Sequence, residues 1–157
     1  MKVLGADIGF GYTKATDGRQ FQIFKSVVGE ATEIQFAETL LPETGWKPRH
    51  IELDGKGFFV GELAEAQSRG RGFTLDQTQF ISQYAKTLAL AAIAPFADDG
   101  EPVRLITGLP ISFFRKHKDA LATLLQQRHQ VTMVKANGER VSKALLIERV
   151  RVIPQPF

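Results

Sequence analysis

The sequence predicts an α/β protein in which a mixed β-sheet carries helices packed on it. Three observations lead there. Short apolar runs bounded by glycine or Asx-Gly turns read as strands at both ends of the chain. Two longer stretches, one opening at Asp76 and one at Ile111, repeat their apolar residues at helical spacing. The elements come in the order βββ, a small β insertion, α, β, α, β-hairpin, β, so strands and helices interleave. With 157 residues, 43% of them hydrophobic and 24% charged, the chain suffices for one domain with a real core.

The elements follow from local chemistry. "KVLGADIG" is a short apolar strand. "YTKATDGRQFQIFKSVVGE" holds two extended segments around Asp17-Gly18, a strong hairpin signal. Residues 31–50 lack periodicity and carry prolines, which predicts a long loop or irregular edge. "HIELDGKGFFVGELA" reads as a second hairpin turning at residues 54–57, and the glycine-arginine stretch 67–75 as a surface loop without the repeat of an RNA-binding segment. From Asp76, the residues Phe80, Tyr84, Leu88, Ala91 and Ala92 share one helical face, and Pro95 ends the helix. "VRLITGLP" is a strand stopped by Gly108 and Pro110. "ISFFRKHKDALATLLQQRH" is a helix with Ser112 as N-cap and Phe114, Leu121, Leu124 and Leu125 inward. A hairpin at Asn137-Gly138 and a separate apolar strand ending at Pro154 complete the chain.

Composition narrows the chemistry. The absence of cysteine excludes disulfides and thiolate metal sites, and His50, His117 and His129 form no ligand spacing. No apolar run approaches the roughly 18 residues that span a bilayer, and the N-terminus lacks the pattern of a signal peptide, so a cytoplasmic protein without membrane contact is expected. Residues 101–157 carry ten basic and four acidic side chains, either a solvated face or a surface for an acidic or polyanionic partner.

Three short motifs bear on function. In "GADIGFGYTK", Asp7 ends a strand, Gly9 and Gly11 follow, and Lys14 lies one hairpin arm away. Glycines let backbone N–H groups approach a phosphate, lysine adds a point charge, and aspartate suits hydrated Mg²⁺. A dinucleotide fingerprint does not fit, because the third glycine is missing and Tyr12 to Thr16 favour a strand over a helix. Alone, the motif describes a plain hairpin at least as well. "LITGLPISFF" alone is a strand-to-helix junction. In "RVIPQPF", two prolines hold Gln155 on a stiff support, and a glutamine can orient an attacking water. Alone, it is a polar residue in a proline-rich tail.

Together and in this order, with "VGELA" between them, these motifs resemble the ParM/StbA type of bacterial actin-like protein, within the actin, Hsp70 and sugar-kinase superfamily. The resemblance covers all 157 residues but only the first half of a family member. It implies a ribonuclease H-like actin ATPase domain I over 1–157, with a small inserted subdomain over roughly 31–75. It further implies that Asp7 organises Mg²⁺ through water and that Gly9, Gly11, Tyr12, Thr13 and Lys14 surround the phosphates of ATP. Gln155 then positions the attacking water, while Glu62, Ala64, Gly108 and Pro110 are structural. The implied partners are further copies in a filament and, through an adaptor protein, DNA, as in plasmid segregation.

The family's second domain and second phosphate loop have no counterpart here, which points to a truncated, cleaved or split polypeptide with an uncovered apolar patch that promotes self-association. A small-molecule kinase of the same superfamily is disfavoured, because Gln155 stands where an acidic base is needed. A non-catalytic interaction module built on the half-fold is the other alternative. The expectation is that the 157-residue chain alone turns over little ATP; a rate comparable to a full-length actin-like protein would contradict it.

Overall fold

The computed structural model describes residues 2–9, 11–30, 49–62, 64, 85–135 and 138–155. Among these residues nine strands form one sheet: β1 (Lys2–Ile8), β2 (Tyr12–Thr16), β3 (Phe21–Lys25), β4 (Val28–Glu30), β5 (Arg49–Leu53), β6 (Lys56–Val60), β7 (Pro102–Pro110), β8 (Arg128–Val134) and β9 (Arg140–Gln155). Their spatial order is β3-β2-β1-β7-β9-β8-β5-β6-β4. β7 runs parallel to both β1 and β9, whereas β1–β2, β2–β3, β8–β9, β5–β8, β5–β6 and β4–β6 are antiparallel. The sheet is therefore mixed, as expected.

Among the described residues, α1 (Ala85–Ile93) and α2 (Ile111–Leu125) pack on one face. Alternation along the strands explains why. Leu4, Ala6 and Ile8 of β1 are buried, as are Val103, Leu105 and Leu109 of β7, and they join one core with Leu88, Ile93, Leu121 and Leu125 of the helices. Residues of opposite parity on these strands, such as Val3 and Ile106, are exposed.

Several local expectations are corrected. The last strands are not a hairpin plus a separate strand. β9 is one 16-residue strand. Its first part pairs antiparallel with β8 and its later part parallel with β7, with Glu148 as the extra residue of a bulge. The strand-to-helix junction falls at Pro110 as expected, but β7 runs on through Gly108 and α2 starts directly after Pro110 with no turn between them. Ser112 thus lies inside the first turn of α2 and is no N-cap. The inward stripe of α2 is Phe113, Leu121 and Leu125, while Phe114 and Leu124 are half-buried. The Phe114 ring instead lies 5.2 Å from the Lys118 ammonium. α1 is apolar nearly all round because it is enclosed by β1, β2 and α2, and only Lys86 reaches out, to Asp54 at 3.3 Å. The beginning of the helix expected from Asp76, with Phe80 and Tyr84, lies outside the described residues, as do the loop 67–75 and residues 31–48. Arg49 and His50 already belong to β5, which with β6 extends the main sheet.

Two predictions follow from the core. Leu105, at 1% exposure, packs between β1, β9 and the helices, so Leu105→Ala is expected to lower stability by about 2–5 kcal/mol in urea unfolding. Burial also holds the imidazoles of His50 and His129 below their ordinary value, although the Leu125 carbonyl, accepting from His129 Nε2 at 2.8 Å, pulls the other way for His129. The unfolded chain therefore takes up these protons first as pH falls through 6.5. Stability should be full above that value and decline below it. A flat unfolding midpoint between pH 7 and pH 5, roughly the range in which histidine titrates, would contradict this.

Candidate nucleotide-phosphate site

The β1–β2 turn is built by close backbone contact. The Gly9 N–H donates to the Tyr12 carbonyl at 3.0 Å. A Cβ on Gly9 would sit 2.9 Å from that same oxygen, so only glycine fits. Gly11, by contrast, faces open space. Ser26, just past β3, straps the turn from behind. Its N–H donates to the Gly11 carbonyl at 2.9 Å and its Oγ to the Gly9 carbonyl at 2.7 Å. The Ser26 hydroxyl proton is thereby committed, so Thr13 donates across the 2.8 Å contact between the two hydroxyls. Thr13 is fully buried, and Tyr12 and Lys14, its neighbours on β2, are exposed.

Register places the remaining residues. Asp7 lies opposite Lys14 on β2 and beside Gly108 on β7, which in turn lies beside Ile153 on β9. Gln155 ends β9 beside Pro110, two residues further towards the same carboxyl edge. Asp7 and Gln155 thus occupy one edge of three parallel strands, separated laterally by two strand spacings, about 10 Å. This is the edge at which open α/β sheets take their ligands.

The electrostatics of the site are incomplete by themselves. Asp7 Oδ1 is buried and accepts no hydrogen bond. Asp7 and Lys14 face each other, yet no ion pair joins them among the described residues. A buried carboxylate oxygen without a partner costs about 1–3 kcal/mol or more, a cost that a bound group would relieve. Among the described residues, no cluster of three or more His, Asp or Glu side chains forms a cation cage. A cation at Asp7 would therefore have one protein carboxylate and otherwise water or phosphate oxygens, the ligand set Mg²⁺ favours.

The structure thus gathers Asp7, Gly9, Gly11, Tyr12 and Lys14 at one hairpin, puts the Thr13 side chain inside it, and brings the Gln155 backbone to the same edge. The sequence did not reveal Ser26. A serine after a short strand carries no signal until β3 folds back beside β2.

An actin-type fold is defined by this arrangement: a ribonuclease H-like sheet with strand order β3-β2-β1-β7-β9, helices on one face and a glycine hairpin at the carboxyl edge. Residues 5–157 match the family model of the actin-like protein N-terminal domain, and the chain belongs to that family. Solved structures agree. The apo ParM protein of psk41 superposes with a TM-score of 0.76 at 16% identity, over 99% of this chain and 50% of that one. The archaeal actin homologue Ta0583 gives 0.65 at 23% identity, over 99% and 45%. The AlfA filament bound to AMPPNP gives 0.55 at 16% identity, over 99% and 55%. The chain spans about half the length of these structures. No curated protein sequence matches it significantly.

Ser26→Ala removes a donor from the Gly9 carbonyl and an acceptor from Thr13. It is expected to cost about 1–3 kcal/mol of stability by urea unfolding, with recovery in Ser26→Thr. Gly9→Ala should also destabilise, through the forced shift of Tyr12. A Ser26→Ala protein as stable as the parent would refute the strap.

Proposed function

We propose that this chain is domain I of an actin-like ATPase and supplies one wall of a nucleotide cleft, with residues 31–75 contributing its smaller inserted part. The observation that carries the proposal is the buried, unpartnered Asp7 Oδ1 above a glycine hairpin that also presents Lys14 opposite it, in a chain of the actin-like family. The AMPPNP of the AlfA filament supports a nucleoside triphosphate as the ligand class.

In this proposal the N–H groups of the turn that follow Gly9, whose own N–H is held by the Tyr12 carbonyl, and the Lys14 ammonium neutralise phosphate oxygens. Asp7 holds the water shell of Mg²⁺, and the metal supplies charge neutralisation of the phosphates when bound. Gln155 orients the water that attacks the terminal phosphate, acting by position and without strong basicity. Tyr12 belongs to the loop around the phosphates, and Thr13 with Ser26 keeps the hairpin rigid. The second wall belongs to a second domain. The whole protein would assemble with ATP into cytoplasmic filaments that move or position DNA through an adaptor, as in plasmid partition. The AlfA and Alp12 filament structures support self-assembly as the mode of action.

Nucleotide binding and pelleting with ATP and Mg²⁺, on a protein that includes both domains, tests this. Asp7→Asn and Lys14→Ala are expected to weaken Mg·ATP binding by roughly tenfold or more, the scale of one charge-assisted contact. Gln155→Ala should slow single-turnover hydrolysis by on the order of a hundredfold while leaving ATP binding nearly unchanged. Lost binding with unchanged single-turnover hydrolysis would overturn the role of Gln155, and wild-type affinity in both charge variants would overturn the site.

A further inference from the structure

The segment "VGELA", residues 60–64, contributes no group to the nucleotide site, yet its glycine is tied to the support of the phosphate hairpin. β6 closes at Val60, and Gly61 follows with φ +78°, in the left-handed region. The Gly61 N–H donates to the Val27 carbonyl at 2.9 Å. A Cβ on Gly61 would stand 3.3 Å from the Cβ of Phe24 and 3.7 Å from its ring. Gly61 is therefore held by one hydrogen bond and one close contact. Both partners lie within two residues of Ser26 in the chain.

Phe24 and Val27 bracket the corner at which the chain leaves β3 for β4. The corner is tight, because the Val27 N–H donates to the Lys25 carbonyl at 2.8 Å. Ser26 stands at its apex, buried, with its N–H on the Gly11 carbonyl and its Oγ on the Gly9 carbonyl. Two routes thus join Gly61 to the hairpin. One runs through Val27 and Ser26 to the carbonyls of Gly9 and Gly11. The other runs through Phe24, which is fully buried, to Thr13, its partner across β2 and β3. Val27, Phe59 and Ala64 close over the corner as a buried cluster apart from the main core. Close-packed, hydrogen-bonded groups transmit a displacement rather than absorb it.

We propose that Gly61 is a positioning residue of the phosphate hairpin. Through Val27 and Phe24 it fixes the Ser26 corner, and through Ser26 it fixes the aim of the N–H groups that meet phosphate oxygens. The proposal rests on the nucleotide reading above and gives "VGELA" a part in that site without any contact to the ligand. A side chain at Gly61 both strains the backbone and must push Phe24 aside. A role confined to the sheet edge would differ: it would loosen β4 and β6 and leave the hairpin as it was.

Amide hydrogen exchange of the 157-residue chain, followed by NMR, tests the support without any ligand. In Gly61→Ala, exchange at the Gly9 and Ser26 N–H groups is expected to speed up by roughly tenfold relative to the Gly100 and Ile147 N–H groups. Those two are hydrogen-bonded to the Ala144 and Gln127 carbonyls, away from the corner, and report general destabilisation. Val27→Ala keeps Gly61 but thins the cluster with Phe59 and Ala64. It should show the same pattern more weakly, and it serves if Gly61→Ala does not fold. In a protein that includes both domains, under conditions where circular dichroism shows parent and variant folded, Gly61→Ala should weaken Mg·AMPPNP binding by roughly fivefold or more. Exchange at Gly9 and Ser26 that rises no more than at Gly100 and Ile147 in either variant would overturn the proposal. A parent that binds Mg·AMPPNP and a Gly61→Ala variant that binds it equally well would overturn this role alone. A parent that binds none would overturn the nucleotide reading, and this role with it.

Discussion

The parallel pairing of β7 between β1 and β9 is the constraint on which the rest depends. It places residues from the beginning, middle and end of the chain side by side, with their carboxyl ends aligned. Parallel neighbours cannot be joined by a tight turn, so the intervening chain must cross over a face of the sheet. α2 does so between β7 and β9, and α1 lies in the crossover between the opening β-hairpins and β7. Both land on the same face, which closes the core there and leaves the outer-parity residues on the other.

That division of faces sets the character of the candidate site. Asp7 and Lys14 belong to the outer parity, whereas Thr13 belongs to the inner one. The hairpin is therefore held from inside by the Thr13–Ser26 hydroxyl pair and offers its charges outside. Rigid support from buried hydroxyls and charge held at the edge is the combination that the proposed phosphate binding requires, because preorganised donors need not reorganise when an anion binds. The same parity carries Arg104, Arg149 and Arg151 onto the outer face, away from α2.

The bulge at Glu148 reconciles two demands on β9. Its first part must face β8 as an antiparallel partner and its later part must face β7 as a parallel one. An inserted residue resets the alternation, so Leu145 and Ile147 before it and Val150 and Val152 after it all turn to the core. Without that reset, the arginines would point inward.

By itself the sequence determined the opening β-hairpins, the second hairpin, the two helical stretches and the α/β class. Each rests on short-range signals: Asx-Gly turns, alternation and 3.6-residue periodicity. It also singled out Asp7, Gly9, Gly11 and Lys14, because a glycine turn flanked by opposite charges is a local pattern. Only the tertiary structure decided that β9 is one strand, that Phe113 and not Phe114 faces the core, and that Ser26 braces the hairpin. It alone showed that Gln155 and Asp7 share an edge and that Gly61 meets the corner that carries Ser26. Those facts depend on which strands pair and in what register, and register is fixed by burial of one whole face at once, which no short window of residues encodes.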